Sequence, residues 1–137
     1  MLIDTHFVLW YLTNDGRLTK AEIALIGRAL LDSAVYVSVI SFWEIAMLVR
    51  KQKIALAMPL RELFDSINAT EEIHCLPLSA EISIEGNSLP GTFHPDPADR
   101  ILVATARLHR IPLLTRDTQI LNYGSANHVM LANTHAE

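Results

Sequence analysis

The chain has 137 residues, enough for one ordinary globular domain and too few for two well-packed ones. Half of the residues are apolar and 19% are charged, which excludes a disordered tail or a low-complexity scaffold. The net charge of −4 excludes a polycationic nucleic-acid coat, so any contact with nucleic acid has to come from a local patch.

In chain order, Leu2-Ile3-Asp4 reads as a very short strand and His6 to Leu12 as a helix, followed by the turn residues Asn14-Asp15-Gly16. Thr19-Lys20-Ala21-Glu22 has the form of a capping box and opens a helix running to about Leu31. Val35 to Val39 is a second strand, rich in β-branched residues. Ser41-Phe42-Trp43-Glu44 starts the next helix, which ends near Arg50, Lys51 and Lys53, where cations suit the macrodipole. Pro59 precedes a helix over Leu60 to Asn68, Ile73 to Leu76 is a third strand, and Ala80 to Leu89 reads as helical. Asp96-Pro97 opens a strong helix to about Arg110. Pro112 to Thr115 is a fourth strand, Gln119 to Leu121 a short helix, and Val129 to Leu131 a last strand.

Short apolar strands separated by helices imply crossovers, a mostly parallel sheet and helices on both faces. The expected fold is therefore one three-layer α/β/α domain over residues 1–132, with 133–137 as a tail. Ligands of such sheets sit outside the carboxyl ends of the strands, and this turns the positions of the acids into an argument. Asp4 closes the first strand, Glu44 lies just inside the helix after the second, and Asp117 follows the fourth by two residues. Asp96 and Asp99 frame the start of the helix before the fourth strand. Each acid also has an ordinary reading. Glu44 fits a capping box begun by Ser41, Asp96 and Asp117 fit helix caps, and Asp99 fits a first helical turn. Asp4 resists such a reading, because an acid at the end of a buried apolar strand needs a partner or an ion. Carboxylates gathered in one cleft recruit a cation, and an acid-rich donor set without a Cys or a His pair suits Mg²⁺ or Mn²⁺. His6 and His94 lack a paired His or Cys at ligand spacing and are left outside the metal shell.

Four ordered blocks carry a resemblance: Leu2 to His6, Val37 to Ala46, His94 to Ala104 and Leu113 to Asp117. Together they resemble the PIN-domain family, and within it the VapC-like toxin ribonucleases of toxin–antitoxin pairs. Ala98 stands where a bulky aromatic is common, and Pro95 where a basic residue is common. The resemblance implies an endoribonuclease that cleaves RNA with a metal-activated water. It carries the acidic site onto Asp4, Glu44, Asp99 and Asp117, with Asp96 as an additional or outer carboxylate, and gives Thr5 and Thr115 the task of orienting the acids. It also implies a homodimer and a cognate antitoxin that reaches the acidic pocket. Helices Thr19 to Leu31 and Pro59 to Asn68, with Ile23, Ile26, Leu60 and Leu63, are candidates for the partner groove.

Arg100, Arg107, Arg110 and Lys51 are the candidate RNA contacts, and Trp43 is expected in the core with Phe42, Ile45 and Ala46. Three other function classes stay open, the last a metal pocket that survives only as a structural element. Leu2-Ile3-Asp4-Thr5 also resembles Mg²⁺-dependent phosphohydrolases with an aspartyl nucleophile, although His6 replaces their second acid. The second class is a non-catalytic PIN-fold binding module, whose pocket would hold a partner's basic residue. A single cysteine, Cys75, no basic leader before Asp4 and no uninterrupted apolar stretch of membrane length give the expectation of a cytoplasmic protein without a membrane span.

Overall fold

A computed structural model describes residues 1–132; the expected tail at 133–137 lies outside them. Among the described residues the order is β1 (Leu2–Ile3), α1 (Thr5–Thr13), α2 (Lys20–Leu31), β2 (Val35–Ser38), α3 (Val39–Arg50), α4 (Leu60–Asn68), β3 (Ile73–Leu76), α5 (Ala80–Gly86), α6 (Pro97–His109), β4 (Leu113–Leu114) and α7 (Thr118–Ser125). All pairings are parallel and the strand order is β3-β2-β1-β4. The chain thus runs outward from β1 to β2 and β3, then crosses back to place β4 on the other side of β1. That reversal makes the carboxyl ends of β1 and β4 a topological switch point, the usual position of a binding crevice in an open parallel sheet.

Two residues suffice for β1 because both its faces are covered. Leu2 pairs with Leu113 and Ile3 with Leu114, and the period of two sends each pair to opposite sides of the sheet. Leu2 and Leu113 join a core with Ile82, Leu102, Val103 and Ile120 from α5, α6 and α7. Ile3 and Leu114 join a second core with Phe7, Ile26, Ile45 and Ile67 from α1, α2, α3 and α4. This is the expected α/β/α arrangement.

Local chemistry explains most boundaries. Thr19 accepts from the Glu22 amide at 3.1 Å while Glu22 accepts from the Thr19 amide at 2.8 Å, which completes the capping box. Asn14 ends α1 at φ 52°, a left-handed conformation that asparagine tolerates. Three expectations are corrected. Helix α3 begins at Val39, not at Ser41, because the Ser38 hydroxyl accepts from the Ile40 amide at 3.1 Å and caps it. Helix α5 stops at Gly86 rather than reaching Leu89. The last strand shrinks to one parallel bridge between Leu113 and Leu131, held by bonds from Leu113 to Met130 and from Ala132 to Leu113.

Candidate active site

Asp4, Glu44, Asp96, Asp99 and Asp117 line one cavity of about 330 Å³, together with Thr5, His6, His94 and Leu102. They arrive from four separated stretches, and helix caps aim three of them. Asp4 caps α1, with Oδ1 accepting from the Phe7 amide at 3.1 Å. Asp96 caps α6, accepting from the Asp99 amide at 3.0 Å, and Pro97 fills the position where a missing N–H costs nothing. Asp117 caps α7, accepting from the Ile120 amide at 3.0 Å. The caps expected of Asp96 and Asp117 are therefore present, and they coexist with a place in the cleft. Three helix N-termini converge here, and their partial positive charge tempers the clustered negative charge.

Hydroxyl groups set the remaining geometry. Thr115 Oγ1 donates to Asp4 Oδ2 at 2.6 Å and accepts from the Asp117 amide at 3.0 Å, so one side chain ties β4 to two of the acids. Thr5 is corrected: its hydroxyl bonds Ser41 at 3.0 Å and orients no carboxylate. That bond fastens the start of α1 to α3 one turn before Glu44. With Ser41 buried inside α3, the capping-box reading of Glu44 falls away. Both Asp4 oxygens accept hydrogen bonds, and the side chain is buried. One hydrogen bond to each oxygen fixes the carboxylate and leaves a lone pair on each for a cation.

Burial pushes the Asp4 carboxyl up, against the opposing pull of the Thr115 and Phe7 hydrogen bonds. Asp99 is pushed up to about 7, first by burial and then by Asp96, Asp117, Glu44 and Asp4. Two carboxylates sharing a half-dry cleft with three others thus resist ionisation until a cation compensates them. His94, set aside on spacing, proves to be part of this group. Its ring, Asp99 and Asp117 each offer one ligand atom, and these atoms all lie within 4.8 Å of one another. His94 Nε2 is also buried without a hydrogen-bond partner among the described residues. The donor set and the orphaned nitrogen fit a divalent cation. A sequence signal existed, since His94 sits two residues before the Asp96 cap, but ligand spacing along the chain says nothing about a loop folded back over a helix start.

The expected basic contacts take other positions. Arg100 donates to the carbonyls of Gly86 at 2.7 Å, Phe93 at 3.0 Å and His94 at 3.2 Å, and so fixes the chain leading into the cleft instead of facing substrate. Arg107 pairs with Glu85 at 2.8 Å and donates to the His128 carbonyl. Arg110 and Lys51 are the C-caps of α6 and α3, at the ends of those helices remote from the acids. Arg100 and Arg107 are thus engaged within the protein, whereas Arg110 and Lys51 are exposed. Trp43 is corrected as well: it is 56% exposed, because the core face of α3 is set by Ile40, Ser41 and Ile45. Of the candidate groove residues, Ile26 and Leu63 are core, whereas Ile23 is 50% exposed. Sequence reasoning also missed Arg116, whose guanidinium lies 4.9 Å from the centre of the Trp10 ring and pairs with Glu22.

Comparison with known proteins places this geometry. Residues 1–125 match the PIN domain family. The chain is 28% identical over 123 residues to Ribonuclease VapC22 of Mycobacterium tuberculosis, covering 90% of this chain and 91% of that protein. Among solved structures it is similar to a chain of FitAcB from Neisseria gonorrhoeae, with TM-score 0.68, 20% identity and 98% and 99% of the two chains covered. A chain of a toxin-antitoxin complex from Klebsiella pneumoniae gives TM-score 0.61, 20% identity and 99% and 98% coverage. With a match that spans most of its length and a fold that agrees, the chain belongs to the PIN domain family.

Proposed function

We propose that this chain is a divalent-metal-dependent endoribonuclease, the toxin of a toxin–antitoxin pair. The observation that carries the reading is the gathering of Asp4, Glu44, Asp99 and Asp117 from distant segments around one cavity at the switch point of the sheet. The likeness to a named ribonuclease and to chains of toxin–antitoxin complexes supports the same conclusion. Mg²⁺ or Mn²⁺ is the expected ion, given four or five carboxylates as its surroundings.

In this reading Asp4, Asp99, Glu44 and Asp117 hold the ion or position its water, and Asp96 stands as the outer carboxylate. When bound, the ion lowers the pKa of water and offsets charge growing on the phosphate oxygens. The chain's own part is to keep the acids fixed. Thr115 and the Phe7 amide hold both Asp4 oxygens, so that Asp4 needs no reorganisation to meet a cation. The caps by Asp96 and Asp117 hold α6 and α7 against the cleft. Trp43 is exposed on α3, the helix that carries Glu44, and is a candidate aromatic face on which an unstacked base can rest. The antitoxin is the expected protein partner, and a homodimer the expected assembly. No helix among the described residues is long and apolar enough to cross a membrane.

The test is cleavage of total cellular RNA by partner-free protein with Mg²⁺, Mn²⁺ or chelator, with new ends mapped. Discrete new ends that vanish with chelator are expected. Intact RNA in every metal, with folded protein, contradicts the nuclease and favours a binding module.

A further inference from the structure

The PIN acids alone make a hard, all-oxygen site, yet this chain adds a nitrogen to it. The His94 ring packs edge-on against Phe93, with centroids 4.6 Å apart, and Phe93 packs in turn on Tyr123 at 4.8 Å. Arg100 holds the carbonyls of both Phe93 and His94. The ring is therefore fixed from its side chain and its backbone. Its Nε2 lies 3.0 Å from Asp99 Oδ2. That distance suits a hydrogen bond, but the nitrogen is without a directed partner, so the two atoms converge on common space instead of bonding each other. Donors about 2.1 Å from an octahedral ion lie about 3 Å apart when adjacent and about 4.2 Å apart when opposite. The 3.0 Å gap is that of adjacent donors, and Asp117 offers a third ligand atom within 4.8 Å of both. A desolvated nitrogen with no partner is costly, and a coordinated ion removes the cost.

We propose that His94 Nε2 is a ligand of the divalent cation alongside Asp99 and Asp117, and that it tilts the site from Mg²⁺ toward later transition ions such as Co²⁺. The proposal rests on the metal-dependent reading above. Imidazole suits transition ions, whereas Mg²⁺ favours oxygen donors and gains little from a nitrogen. Loss of the ring is therefore expected to lower Co²⁺ affinity by about tenfold or more while changing Mg²⁺ affinity by less than about threefold.

The experiment uses the metal-stripped full chain. Pulsed EPR of bound Mn²⁺ reads nitrogen coupling directly, and calorimetry with Co²⁺ and with Mg²⁺ reads the preference, in wild type and in His94→Gln. The expected result is an imidazole coupling in wild type that disappears in the variant, together with a fall in the Co²⁺ to Mg²⁺ affinity ratio. Mn²⁺ bound to wild type without nitrogen coupling overturns the proposal and leaves the acidic site standing. Coupling that persists in His94→Gln overturns it too and transfers the role to His6, which lines the same cavity. Failure of wild type to bind any divalent ion overturns both the proposal and the reading beneath it.

Discussion

Glu22 and Asp4 are equally hidden, each 6% exposed, yet their environments drive them in opposite directions. Glu22 is held below the ordinary carboxylate range, first by its hydrogen bonds from Arg116 and then by the Thr19 amide, against the cost of burial. Asp4 is pushed up because burial outweighs the hydrogen bonds from Thr115 and Phe7 and the weaker attraction of His6. The contrast is sharper for the chain's placement of Arg116, which lies between Thr115 and Asp117 at the edge of the cleft. Its guanidinium turns away, pairing with Glu22, donating to the Arg17 carbonyl at 2.8 Å and lying over Trp10. A cation adjacent in sequence to one of the acids is thus spent on stability instead of pairing with a carboxylate of the cleft. One corner of the molecule is built to be satisfied in the protein itself, the other to be satisfied by something that binds.

The comparison breaks first at Asp4. Asp4→Asn is expected to lower metal-dependent RNA cleavage at least about 100-fold, and to leave the thermal midpoint unchanged or raised, since it removes an uncompensated buried charge. A fall in activity matched by loss of fold, seen by circular dichroism, points instead to a structural acid. Glu22→Ala is the converse. It removes half of the capping box and leaves Arg116 without its partner, and it is expected to cost about 2–3 kcal/mol in chemical denaturation, a figure kept low because the Arg116 side chain is 40% exposed. Divalent-ion binding persists in that variant.

Acidity gives a subtler separation. Asp99 titrates near 7 in the folded protein and from the ordinary range near 3.8 when unfolded, so the native state holds the extra proton between these values. Its contribution favours the fold most below about pH 4 and is lost as pH rises through about 7. Metal-free protein is expected to melt at a lower temperature at pH 8 than at pH 5.5, and Asp99→Asn to flatten the difference. The same proton must leave before a cation binds, so divalent affinity rises with pH across that range. The smallest effects are expected at the far ends of the helices. Lys51→Ala and Arg110→Ala change cleavage by less than about twofold, a range typical of exposed charges away from a site.

How much of this was legible in the sequence depended on the range of the interaction responsible. The Thr19 box and the Asp96-Pro97 start are settled within four residues, and they stand as read. The parallel sheet followed from strands separated by helices, and Asp4 drew attention because an acid closing a buried strand is expensive. The start of α3 was ambiguous because Ser38 and Ser41 are both good caps and Val39-Ile40 is β-branched; Ser38 caps it, while the Ser41 hydroxyl is engaged by Thr5, 36 residues away. Arg100 and Arg107 share a helical face, as spacing requires, but which carbonyls and carboxylates wait on that face is tertiary information. The place of His94 depends on Phe93, Tyr123 and Arg100 packing a loop over the head of α6, which no local pattern encodes.

The account's central claim is that the acids of the cleft are left unpaired so that a divalent ion can complete them. Thermal unfolding of metal-stripped protein across a Mn²⁺ titration tests it most directly. Binding to the native state alone adds about 2.7 kcal/mol at a hundredfold excess over Kd, so the wild-type midpoint is predicted to climb by several degrees while that of Asp4→Asn stays nearly flat. A wild-type midpoint that ignores Mn²⁺, or a rise equally large in Asp4→Asn, contradicts it.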